Sequence, residues 1–153
     1  MKIAVGSDHR GYTLKQEIIR FLSEQGSEFK DFGVLSKDPA DYPDIGLEVA
    51  GAVAGGEFDR GILVCSTGVG MSIAANKVPG VRAALCTDTN SALLSRKHND
   101  ANVLALGEQV TPPAMALEIV RTWLSAAFPG EERHARRVRK ISDIERQFSR
   151  GGC

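Results

Sequence analysis

The sequence predicts an α/β protein: a doubly wound, Rossmann-like parallel sheet of five strands with helices on both faces, followed by a C-terminal helix. Three observations predict it. Short apolar runs alternate along the chain with stretches of helical periodicity. Residues 61–64 (GILV) are apolar without alternation, the pattern of a parallel strand covered on both faces. Reactive side chains follow two of the strand-like runs, at the carboxyl ends where open parallel sheets bind ligands.

Residues 2–5 (KIAV) read as the first strand. Residues 12–25 read as a helix with Leu14, Ile18, Phe21 and Leu22 on one face, and Gly26 stops it. Residues 28–32 are the second strand. Residues 38–43 contain two prolines and read as a loop, and 45–54 read as a helix ended by Gly55 and Gly56. The buried run 61–64 leads into the turn STGVG, and a short helix opens over 71–76. Residues 81–85 are the fourth strand, 90–97 a helix and 102–106 the fifth strand. Thr111 followed by Pro112 marks a helix start, with an N-cap and a proline at the first position. Leu117, Val120 and Leu124 supply that helix's buried stripe. A last helix runs over 131–148 with Val138, Ile141 and Ile144 as its apolar line. It either reaches a partner subunit or lies as an exposed terminal helix. The division is one domain over 1–148 and a disordered tail over 149–153.

The 153 residues suffice for one core without disulfide staples. Apolar residues make up 42% and charged residues 25%, an ordinary globular balance. No apolar run is long enough to span a bilayer, and the start MKIAVGSDHRG lacks the apolar segment of a signal peptide. The cytoplasm is the expected location. A formal net charge of zero argues against a general nucleic-acid binder. Cys65, Cys86 and Cys153 are odd in number, far apart and without a CxxC spacing, which excludes a disulfide framework and a zinc finger.

Two segments carry the candidate chemistry. Ser7, Asp8, His9 and Arg10 follow the first strand; Cys65, Ser66, Thr67, Gly68, Val69 and Gly70 follow the third. Gly68 and Gly70 let the backbone turn tightly and aim amides inward, next to a helix start. Such a turn can hold a developing oxyanion. It is neither a Walker loop nor a complete dinucleotide fingerprint. Cys65 at a strand end, before that turn, is placed as a thiolate base; equally, a buried cysteine can simply fill the core. Cys86 ends an apolar strand and reads as core, and Cys153 as a dispensable terminal thiol.

His98, Asn99 and Asp100 form a second polar cluster at a helix end, where a histidine can relay a proton near neutral pH. Residues 133–140 are strongly basic. In a helix, Arg133 and Arg137 share one face at i and i+4, spaced to hold one phosphate dianion. A solvated basic face accounts for the same pattern.

Taken together, DHRG near the N-terminus, DYP at 41–43, the stretch GILVCSTGVGMSIAANKVPGVRAAL and the pair His98–Asn99 resemble the type B ribose-5-phosphate isomerases. The wider group includes galactose-6-phosphate and allose-6-phosphate isomerases. The resemblance covers almost the whole chain. It implies a homodimer or a tetramer with active sites shared between subunits, a small phosphosugar as substrate, and no cofactor or metal. It implies that Cys65 moves the proton between C1 and C2 of the open-chain sugar. Thr67 and the amides of Gly68, Val69 and Gly70 would stabilise the cis-enediolate. Asp8 would meet sugar hydroxyls and Tyr42 would line the pocket, with Ser66 and Ser72 as further contacts. His98 would open the ring, with Asn99 beside it, from the partner subunit. His9, Arg133 and Arg137 would hold the phosphate.

The chain departs from the family pattern in places. Many relatives carry Gly-x-Arg-Val after the last strand; here the turn is Gly107, Glu108, Gln109, Val110, one cation short. Ser66 stands where relatives often have glycine. Some relatives replace the cysteine by a glutamate further along, but Ser72, Ile73, Ala74 and Ala75 offer no carboxylate here, which favours Cys65. The expected reaction is interconversion of ribose 5-phosphate and ribulose 5-phosphate. A hexose or tetrose phosphate, a non-catalytic sugar-phosphate sensor and a thiol redox protein are the alternatives.

Overall fold

Five strands form a single parallel sheet in the order β2-β1-β3-β5-β4 in the computed structural model, which describes residues 1–149. The strands are β1 (Lys2–Ser7), β2 (Glu28–Asp31), β3 (Arg60–Cys65), β4 (Ala83–Leu85) and β5 (Val103–Gly107). The helices are α1 (Tyr12–Glu24), α2 (Tyr42–Ala54), α3 (Val69–Ala75), α4 (Thr89–Asn99), α5 (Pro113–Ser125) and α6 (Glu132–Ser149).

The interiors of the three central strands, residues 3–6, 61–65 and 103–107, carry no charged residue because both of their faces are covered. Side chains alternate across a strand. Ile3, Val5, Ile62, Val64, Leu104 and Leu106 therefore point to one face, against Leu14 and Ile18 of α1, Ala92 of α4 and Trp123 of α5. Ala4, Leu63, Cys65 and Val103 point to the other, against Val49 and Val53 of α2 and Met71 of α3. Two packed layers on one sheet make the fold doubly wound, as the alternation of patterns predicts. The chain steps from β1 to β2 on one side and to β3 on the other. The order thus reverses between β1 and β3, and their carboxyl ends open the crevice where such sheets bind ligands.

Several boundaries differ from the sequence reading. Helix α2 begins at Tyr42, so Tyr42 and Pro43 belong to it and not to the preceding loop. A proline in the first turn lacks only an N–H that the helix leaves unpaired there. Helix α5 begins at Pro113, with Pro112 at the cap position. Thr111 does not cap it: its hydroxyl is buried and has no hydrogen-bond partner among the described residues. On α6 the predicted apolar line is not covered. Ile141 and Ile144 are 45% and 58% exposed, and the buried residue of this helix is His134. Ser149 is still helical, although the tail was expected to start there. Cys153 lies outside the described residues.

Helix α1 also buries a charge that its apolar stripe does not announce. Lys15 is fully buried. Its ammonium donates to both carboxylate oxygens of Asp31, at 2.8 and 2.7 Å, and to the Val34 carbonyl at 2.7 Å. The full donor set of the ammonium is thereby used, which is what a buried lysine requires.

Candidate active site

At the carboxyl end of β1 the chain turns sharply around Asp8. Its Oδ1 accepts from the N–H groups of Arg10 and Gly11, both at 3.0 Å. The side chain is 5% exposed, and its Oδ2 takes no hydrogen bond from the described residues. His9 is fixed by its Nδ1, which accepts from the Ala40 N–H at 3.2 Å. The neutral ring then carries its proton on Nε2.

At the carboxyl end of β3 the sulfur of Cys65 accepts from the Gly68 N–H at 3.1 Å. Gly68 has a φ of +80°, which glycine adopts freely, and a Cβ there would come within 2.5 Å of Leu85. The Tyr42 ring lies against Gly70, so closely that a Cβ on Gly70 would sit 2.8 Å from it. Between these walls is a cleft of about 310 Å³ lined by Asp8, His9, Tyr42, Cys65, Ser66, Thr67 and Gly70, with Arg10, Ala40 and Asp41. Seven predicted site residues thus converge on one crevice, at the sheet's switch point.

The other predicted residues are not brought there within one chain. Gly68 and Val69 belong to the turn but do not line the cleft, and Ser72 lies further along α3, half-buried. His98 stacks face to face on His134, with ring centroids 4.1 Å apart and planes 8° from parallel. Arg133 is exposed and pairs with Glu131 at 3.3 Å, and Arg137 is exposed. Asn99 lines a larger groove of about 760 Å³, with Arg82, Ile141 and Ile144. That groove holds none of Asp8, His9 or Cys65; the smaller cleft carries the reactive groups.

The separation follows from topology. Helix α4 leaves the carboxyl end of β4 and must return to the amino end of β5 before Val103. Its 11 residues cover about 16 Å. His98 and Asn99, at its end, therefore sit at the amino edge of the sheet, and Cys65 at the carboxyl edge.

His134 and Glu108 were given no role from sequence. His134 is 4% exposed, and its Nε2 has no hydrogen-bond partner among the described residues. Burial pushes its pKa below the usual histidine value, and the neighbouring His98 and Arg133 push the same way. In sequence it stands inside a basic run, which hides it. Glu108 accepts from the Leu14 N–H at 2.9 Å, a contact across 94 positions that no local pattern shows. Cys86 is buried in the core, and burial pushes its thiol pKa up. Among the described residues no three His, Cys, Asp or Glu side chains gather closely enough to hold a metal ion.

The sequence model of the ribose/galactose isomerase family matches residues 3–141. The chain belongs to that family. It is 52% identical over 146 residues to ribose-5-phosphate isomerase B of Escherichia coli, covering 95% of this chain and 97% of that one. It is 44% identical over 151 residues to D-erythrulose-4-phosphate isomerase of Pectobacterium atrosepticum, covering 96% and 97% of the two chains. Among solved structures, ribose-5-phosphate isomerase B of Clostridium thermocellum superimposes with a TM-score of 0.95 at 59% identity, covering 97% and 99%. The five-stranded parallel sheet fits that membership.

Proposed function

We propose that the protein is an aldose–ketose isomerase that interconverts ribose 5-phosphate and ribulose 5-phosphate through a cis-enediolate, with Cys65 as the base. The observation that carries this reading is the Cys65 sulfur, held by the Gly68 N–H and facing a cleft it shares with Asp8 and Thr67. In the aldose-to-ketose direction the thiolate takes the proton from C2. The electron pair forms the C1–C2 double bond, and charge collects on the C1 oxygen. Thr67 and the Gly70 N–H, on the cleft wall, meet that oxyanion; the Gly68 and Val69 amides, expected beside them, are given to the Cys65 sulfur and the Thr67 hydroxyl. The proton from the C2 hydroxyl moves to the C1 oxygen, and the Cys65 thiol returns its proton to C1. The step balances without oxidant, reductant or cofactor.

Asp8 and Tyr42 face the sugar, with Ser66 and Ser72 on the same side, and the Nε2 of His9 reaches the phosphate. The ring-opening histidine His98, with Asn99, and the phosphate-binding Arg133 and Arg137 come from a second copy, because α4 holds His98 at the opposite edge of its own sheet. A homodimer, or a tetramer of such pairs, completes each site. No helix among the described residues is long and apolar enough to cross a membrane, and we place the enzyme in the cytoplasm.

A panel of aldose phosphates with product detection tests the reading. Ribose 5-phosphate should give ribulose 5-phosphate with the highest kcat/KM. The likeness to D-erythrulose-4-phosphate isomerase favours one second reading, a tetrose phosphate, and faster turnover of that substrate would select it. Binding of every phosphosugar without turnover would identify a sensor.

A further inference from the structure

Helix α1 begins directly behind the Asp8–Gly11 turn, and its first turn has no cap of its own: the cap position is Gly11 and no side chain closes it. The first four N–H groups of a helix need acceptors from outside. The Leu14 N–H finds one in Oε2 of Glu108, at 2.9 Å. Glu108 stands in the turn after β5, half-buried. Its own N–H donates to the Cys65 carbonyl at 2.9 Å, and the next N–H, of Gln109, donates to the Ser66 carbonyl at 2.9 Å. Gly107, just before, is pressed against Thr67 so closely that a Cβ would come within 2.4 Å of the Thr67 carbonyl carbon.

One residue is therefore bonded in two directions. Its backbone holds the segment that carries the sulfur, and its carboxylate holds the helix that carries the Asp8 turn. We propose that Glu108 is a positioning residue for the isomerisation, a clasp that fixes the distance between the Asp8 wall and the Cys65 wall of the cleft. It lines no part of the cleft, so its effect passes through the groups it holds. A charged acceptor on a helix-start N–H is a strong form of cap, and here it spans two active-site turns. The proposal rests on the reading of Cys65 as base, because placement of the base is what the clasp protects. Misplacing a reacting group by about 1 Å can lower a rate roughly a hundredfold.

The test compares Glu108→Gln and Glu108→Ala with the parent, each assayed well below its own Tm. Gln keeps a carbonyl oxygen at the same reach; Ala removes it, and both leave the backbone bonds in place. In Glu108→Ala, kcat should fall about tenfold or more with KM for ribose 5-phosphate within about threefold, and Glu108→Gln should restore most of the loss. Alkylation of Cys65 by iodoacetamide, followed on its peptide by mass spectrometry, should be several-fold faster in the Ala variant and near the parental rate in the Gln variant. Should Glu108→Ala fail to fold, Glu108→Asp, one methylene too short to reach Leu14, is expected to show the same pair of changes. Parental kcat in the truncated variant, or equal losses in Ala and Gln, overturns the clasp. A wrong assignment of the base shows up separately, as turnover by a folded Cys65→Ala protein. The alkylation comparison does not depend on turnover and still judges the clasp.

Discussion

The two edges of the sheet are built differently. At the carboxyl edge Asp8, His9 and Cys65 each accept a backbone N–H and converge on one cleft. At the amino edge His98 lies stacked on His134, and the guanidinium groups of Arg133 and Arg137 stand exposed. The first edge is preorganised by its own chain. The second carries His98, Arg133 and Arg137 away from that cleft. In a parallel sheet the helix before a strand ends at the amino edge, opposite the strands' carboxyl ends, so a group there and a group after β3 lie on opposite edges of one chain.

The sharpest way to break this comparison is to disable one edge at a time. Cys65→Ala and His98→Ala should each lower kcat by about 10²–10⁴-fold as pure proteins. Unfolded and refolded together in equal amounts, they should recover about a quarter of parental activity. Half of the dimers formed are mixed, and each mixed dimer has one site built wholly from unaltered residues. No recovery would mean that all the groups act within one chain.

A smaller effect is expected at the phosphate. Charge-assisted hydrogen bonds contribute about 1.5–3 kcal/mol, so Arg133→Ala or Arg137→Ala should raise KM for ribose 5-phosphate about tenfold to a hundredfold. Activity toward the unphosphorylated sugar should stay as it was. Equal weakening of both substrates would assign the arginines to the fold or the interface, and no change would leave them a solvated face. Gln109→Arg sharpens the same point: a lower KM would show that the turn after β5 reaches the phosphate.

The smallest effect concerns stability at the amino edge. His134 titrates below its usual value of 6.5 when folded, so the unfolded chain takes up its proton first as pH falls. The contribution of the buried neutral ring is complete above about pH 6.5 and is lost as the solution is acidified below it. Tm measured from pH 7.5 down to pH 5 should fall, and His134→Phe, which keeps an aromatic ring on His98 but takes no proton, should flatten that slope. An unchanged slope would place the acid sensitivity elsewhere.

Legibility followed the range of the interaction. All five strands could be placed, because apolar runs and turns are local signals, and the Cys65 turn was visible as a glycine-bearing segment at a strand end. The start of α2 was missed by three residues, since Tyr42 and Pro43 look like loop although a proline suits a helix's first turn. The stripe on α6 was read as apolar, with its cover left open between a partner subunit and solvent, and Ile141 and Ile144 are exposed in the single chain: periodicity states which face is apolar, not what lies against it.

The sequence alone determined the doubly wound class, the position of Cys65 after a buried strand and the pairing of Arg133 with Arg137 on one helical face, because each depends on neighbours within a few residues. The tertiary structure alone decided that β5 lies between β3 and β4. It also decided that Lys15 meets Asp31, that His134 stacks on His98 and that Glu108 reaches Leu14. Each of these joins elements that the chain keeps apart and only the sheet brings together, and the order of strands in a sheet leaves no periodic mark on the residues that obey it.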